Sequence, residues 1–164
     1  MRQILKLPAR ILVCAAVAGS ASVAAVTIPG GIASATPLTL SCTSLSGSET
    51  AQSISGCTGT ASKETGSKGT STVKNNLAKK TGVATVKWTT GKTSIESYSY
   101  KELFGSSNKC AAKTSYSKVA EAPETGKVTG GTATAMVGGA VTGTACAYSK
   151  SGKISIFNMG PIKS

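Results

Sequence analysis

The chain has 164 residues, eighteen Lys and Arg against six acidic residues, and no histidine. All six acids are glutamates, and the only arginines are Arg2 and Arg10. The sequence therefore lacks the side chains that most often perform acid–base catalysis, ligate metals or clamp phosphate in a fork, which argues against most familiar enzymes and against a resident cofactor or metal.

The first 35 residues read as a targeting segment. Arg2, Lys6 and Arg10 form a positive n-region, and residues 11–26 are apolar and rich in Ala and Val. Ala33-Ser34-Ala35 offers a small-x-small cleavage site that would leave Thr36 as the first residue. The arginines stand apart, so there is no twin-arginine signal. Val13 stands before Cys14 where a lipobox wants Gly or Ala, so Cys14 is expected to leave with the signal. Gly19, Ser20 and Ser22 dilute the apolar run too much for a membrane anchor, and no later stretch could span a bilayer as a helix. The expectation is a signal peptide over 1–35 and one secreted domain over 36–164, extracellular or associated with the cell wall.

That domain is 129 residues long and carries fifteen lysines and six glutamates, a formal charge of +9. It holds forty-one Ser and Thr, sixteen Gly and seven aromatic residues, a composition suited to turn-rich β structure around a thin core. Its four cysteines are Cys42, Cys57, Cys110 and Cys146, an even number in an exported chain, which points to two disulfides. Three pairings exist; Cys42 with Cys57 and Cys110 with Cys146 are preferred because neighbouring segments meet most easily. No CxxC occurs, so zinc and thioredoxin-like chemistry lack support.

In chain order, Leu38, Leu40 and Cys42 share one face of an opening strand, and a second strand runs through Ile54 toward Cys57. Residues 61–82 are polar and lysine-rich and read as a long surface loop, with a turn of helix near 75–80. Ala84, Val86 and Trp88 mark a half-buried strand with Trp88 in the core, and Thr89-Thr90-Gly91-Lys92 turns into a partner strand over 93–101. Tyr98 and Tyr100 on that strand share a face, either as a cross-strand packing pair or as an exposed aromatic pair. Residues 115–120 form a further strand, broken by Ala122-Pro123-Glu124-Thr125-Gly126. Residues 127–137 and 140–148 then pair through Gly138-Gly139, and a last strand carries Ile154, Ile156 and Phe157. Seven to nine short antiparallel strands imply a single all-β sandwich or small barrel.

The Leu-Ser-Cys42-Thr-Ser-Leu-Ser-Gly opening, the Ser-Gly-Cys57-Thr-Gly step, the Val-Lys-Trp88-Thr-Thr-Gly-Lys hairpin and the Cys146 strand with the following Gly152-Lys-Ile-Ser-Ile carry a resemblance. The chain is similar to small exported actinobacterial four-cysteine β-domain proteins of unassigned function. The resemblance implies a secreted, two-disulfide β domain and supplies no catalytic residue or ligand.

Motifs with catalytic overtones are explained by composition. Ser115-Tyr-Ser-Lys118, Ser71/Lys74 and Ser106/Lys109 match S-x-x-K, but twenty serines and fifteen lysines in this domain make such matches expected by chance. Gly91-Lys92-Thr93 lacks the upstream glycine of a phosphate loop. Glu121 and Glu124, flanking Pro123, read as solvated loop charges rather than as a carboxylate pair for glycoside cleavage. The positive charge remains, with Lys74, Lys79 and Lys80 as candidate anion-binding residues. The expected role is a non-enzymatic exported domain that binds anionic polymers or glycans of the cell envelope. Without arginine there is no specific nucleic-acid recognition. The alternatives are a lipid-active β-barrel and, behind it, a secreted hydrolase or protease inhibitor.

Overall fold

The computed structural model describes residues 36–163; the expected targeting segment and cleavage site lie outside them. The chain runs through β1 (Ser41–Gly47), β2 (Ala51–Thr58), a helical turn α1 (Ser62–Thr65), β3 (Lys68–Asn76), β4 (Thr81–Trp88), β5 (Thr93–Tyr100), β6 (Ser117–Gly130), β7 (Ala140–Lys150), β8 (Lys153–Asn158) and β9 (Ile162–Lys163). Every pairing is antiparallel, and the order β2-β3-β4-β5-β6-β7-β8-β1 closes because β1 also pairs with β2. The molecule is therefore a barrel and not a sandwich. Closure removes the free sheet edges that a Ser/Thr-rich β protein would otherwise expose to aggregation.

The alternation of side chains drives this arrangement. In β4 the inward positions Gly82, Ala84, Val86 and Trp88 are buried while Val83, Thr85 and Lys87 face solvent. Trp88 is core, as its spacing predicts, and its indole N–H donates to Ser94 Oγ at 3.1 Å. Tyr98 and Tyr100 both point into the barrel; the exposed-pair reading is excluded, since they are 4% and 6% exposed. Tyr98 needs glycine on both sides. In register it lies between Gly82 and Gly126, and a Cβ on Gly126 would stand 2.7 Å from Tyr98 Cα.

One end of the barrel, at Leu40, is plugged by loops. The connection from β6 to β7 makes a 3-10 turn (Thr134–Met136) that buries Ala133 and Met136 completely, and Leu38 N–H donates to Ala135 C=O at 2.9 Å. The opposite end lies at Tyr100, where the 77–80 turn and the long connection 101–116 sit. That connection packs outside the barrel wall. The Cys110–Cys146 disulfide ties it to β7, and Tyr148 O–H donates to Ala111 C=O at 2.7 Å. The second disulfide, Cys42–Cys57, joins directly opposed residues of β1 and β2. Both bonds match the preferred connectivity.

Three segments differ from the sequence expectation. Lys68–Asn76, placed in the 61–82 loop, is strand β3, because its inward residues Gly69, Ser71, Val73 and Asn75 alternate with outward Lys and Thr; residues 77–80 form a turn, not a helix. Residues 122–126 do not break the chain. β6 runs unbroken through Pro123, whose C=O accepts from Lys101 N–H at 3.2 Å. A strand residue directs its N–H and C=O to the same neighbour, so the missing proline donor faces residue 101, beyond the end of β5, where no ladder bond is lost. Gly138-Gly139 does not form a two-residue hairpin either. β6 ends at Gly130, and the connection 131–139 dips into the barrel mouth before Gly138 and Gly139 pair back to Val128.

Candidate functional site

Charge is sorted by face. None of the six glutamates is exposed, whereas thirteen of the fifteen lysines are, and the two intermediate ones, Lys80 and Lys92, form ion pairs with Glu102 and Glu64. Among the described residues the surface thus presents thirteen exposed lysines and no exposed carboxyl group.

On the outer wall, strand register aligns residues in rows. Lys74 pairs with Val83, Val83 with Ser97, and Ser97 with Lys127, so two lysines bracket one row across four strands. Three strand spacings separate them, about 14 Å. The neighbouring row is Asn76, Thr81, Ser99 and Thr125, all short and polar. These residues line an open groove of about 870 Å³. Gly82 and Gly126, the inward positions that flank Tyr98, also contribute to its lining.

Of the candidate anion-binding residues, Lys74 therefore lies in the groove. Lys79 is exposed in the β3–β4 turn, its N–H donating to Asn76 Oδ1 at 3.1 Å. Lys80 is committed elsewhere: its ammonium pairs with Glu102 and sits 5.9 Å from the Tyr100 ring centre. Lys127 was missed in the sequence because only the register of β5 with β6 reveals that it shares a row with Lys74.

The lumen carries a second cluster. Glu96 on β5 is fully buried between Ala84 and Val128, and Glu124 on β6, 2% exposed, lies between Tyr100 and Gly143. Glu96 Oε1 accepts from Ser94 Oγ at 3.4 Å, but Glu96 Oε2, both carboxyl oxygens of Glu124 and Tyr100 OH have no hydrogen-bond partner within the protein. Burial pushes the Glu96 carboxyl up to about 8 against the weaker pull of the Ser94 bond. Burial and then the nearby Glu96 charge hold Glu124 well above the usual carboxylate range. Burial, followed by the charges of Glu102 and Glu124, raises Tyr100 to about 12. Burial thus favours the protonated form of both lumen carboxyls.

Glu121 and Glu124 correct the sequence reading in another way. Neither is solvated, and they cannot act as a pair. Three residues apart on one strand, they face opposite sides. Glu121 is outside the barrel under the 101–116 connection, where Oε2 accepts from Lys109 N–H at 2.6 Å. The same parity separates buried Ser71 from exposed Lys74. Among the described residues no group of three or more Cys or Glu could hold a metal ion, and no helix is long and apolar enough to cross a membrane.

No protein-family model matches the chain, and neither the curated proteins nor the solved structures contain a match.

Proposed function

We propose that this is a non-enzymatic exported binding barrel whose lysine-bearing outer wall holds anionic, hydroxyl-rich polymers of the cell envelope. The observation that carries the reading is the separation of charge: the lysines exposed, the carboxyl groups buried or half-buried. A polyanion approaching the wall meets attraction with little local repulsion, and the field of the whole domain steers it. The groove adds a place to lie, with Lys74 and Lys127 at its sides and Ser97, Ser99 and Thr125 supplying hydroxyls along its floor. Lysine gives point charges rather than planar forks, so the binding is salt-sensitive and tolerant of sequence or linkage in the polymer. The outward positions of β3 are Lys, Thr and Asn, which suits this role better than a lipid-facing one.

Retention of the oxidised protein on purified cell envelopes tests the reading. The screening length falls from about 10 Å at 0.1 M salt to about 3 Å at 1 M, so retention is expected at the lower salt and release at the higher. Lys74→Ala with Lys127→Ala is expected to lower retention several-fold, while Lys118→Ala with Lys153→Ala, which removes the same charge away from the groove, changes it little. Equal losses from both pairs would leave attraction without a site, and no retention at low salt would overturn the proposal.

A further inference from the structure

The lumen is the opposite of the outer wall, since its polar groups are carboxyls and a phenol. Tyr100 and Glu124 are direct cross-strand partners on the inward face, and Glu96 stands further along the same lumen, past the Tyr98–Gly126 pair. The walls beside them are small: Gly143, Ala145, Ala122 and Ala120 occupy the inward positions of β6 and β7 around Glu124. Four oxygens, Glu96 Oε2, Glu124 Oε1 and Oε2, and Tyr100 OH, make no hydrogen bond to the protein although each is sealed from solvent. Buried polar groups in native proteins almost always have partners, and four orphans on the inward faces of two adjacent strands mark a place for a guest. The phenol matters as much as the acids. Tyr100 is 6% exposed, its hydroxyl is sealed from solvent, and it is paired directly with Glu124 across the strands.

We infer that the lumen binds a small primary ammonium group, as the free ammonium ion or a short alkylamine, held by Glu124 and Tyr100 with Glu96 behind them. Once Glu124 is ionised both its oxygens only accept, and the Tyr100 oxygen can accept as well, so three N–H bonds from one small cation satisfy three of the four orphans. A buried cation also requires an ionised partner. On entry Glu124 gives up its carboxyl proton to solvent and its carboxylate pairs with the ammonium, so the bound state is neutral overall and one proton is released for each cation taken up. The other titratable groups near the site do not compete for the role. Tyr98 O–H donates to Asn75 Oδ1, Lys80 is paired with Glu102 at the Tyr100 end, Glu49 lies in the β1–β2 loop, and no lysine is buried in the lumen. The inward neighbours from β4 and β7, Ala84 and Gly143, carry no charge.

Calorimetric titration of the oxidised protein with methylammonium, in buffers of different ionisation heat, tests the site. Saturable binding with release of close to one proton is expected, its affinity rising by up to tenfold per unit between pH 6 and pH 8. Ammonium chloride is expected to bind in the same way, and which binds more tightly decides between the free ion and an alkylamine as the natural guest. Tetramethylammonium, with the same charge but no N–H, is expected not to saturate. Glu124→Gln is expected to weaken binding more than tenfold and abolish proton release; Tyr100→Phe, which removes one oxygen and keeps the ring, provides the same test should the glutamine variant fail to fold, with a several-fold loss. Absence of saturable methylammonium and ammonium binding throughout this pH range, equal binding of tetramethylammonium, or unchanged binding by the folded variants would each overturn the inference.

Discussion

At the scale of single residues, two side chains set how the barrel responds to its surroundings. Glu96 keeps its proton in the folded state up to about 8, whereas the unfolded chain loses it near 4.5. Between those values the folded state binds more protons than the unfolded one, so stability falls as pH rises, by about 1.4 kcal/mol per pH unit for each such carboxyl. Glu124 acts in the same direction. Denaturant midpoints are therefore expected to drop from pH 5 to pH 8, and Glu96→Gln, neutral at every pH, is expected to flatten that decline. A midpoint that rises over this range would show that the carboxyl groups are ionised in the fold. Tyr98 is the second control point. Gly126→Ala would drive a methyl group to 2.7 Å from its Cα, and such overpacking typically costs about 1–3 kcal/mol. Thermal unfolding of the variant measures the loss, and a stability equal to that of the parent would deny the Tyr98–Gly126 contact.

At the scale of elements, the barrel is least continuous where β8 meets β1. Only Ser46 and Gly47 pair there with Phe157 and Ile156, and β9 takes over further along β1. Asn158 spans the interval: Leu45 N–H donates to its Oδ1 and its Nδ2 donates to Thr43 C=O, both at 2.9 Å. Asn158→Ala is expected to cost about 1–3 kcal/mol by leaving backbone groups unpaired, with faster amide exchange at Leu45 than in β3 or β4; unchanged exchange would mean that the seam does not depend on this side chain. The disulfides act in the unfolded chain. Closing loops of sequence separation 15 and 36 contributes about 3 and about 4 kcal/mol respectively on the entropic account. Replacing Cys110 and Cys146 by serine is expected to lower the melting temperature and release the 101–116 connection first. Elements with apolar alternation, β2, β4 and β8, were legible in the sequence, as was the β4–β5 hairpin with its Thr-Thr-Gly-Lys turn. β3 was not, because Gly69 and Ser71 fill inward positions in a narrow lumen and so hide its period. β6 was obscured by Pro123 and Gly126, which signal turns locally but serve here as a ladder end and a seat for Tyr98. β9 is two residues long, too short to have a period at all.

At the scale of the whole molecule, closure and charge sorting are two sides of one arrangement. A closed wall gives every strand an inner and an outer face, and the sequence puts its lysines on the outside and Glu96 and Glu124 within. Composition alone revealed the positive charge but not its segregation, since the inward parity of the glutamates depends on strand register. Lys74 was recognisable as a candidate, whereas its partner Lys127 and the lumen carboxyl groups emerged only when four strands were aligned. Burial favours the protonated form of both lumen carboxyls, which adds to the positive charge presented to a polyanion. Carbon-13 NMR of the six glutamate carboxyl groups across pH 3 to pH 9 tests this sorting most directly. Glu96 is expected to remain protonated at pH 6.5 and to titrate near 8, with Glu124 also titrating well above the usual carboxylate range; six carboxyl groups that are all ionised by pH 6 would contradict the account.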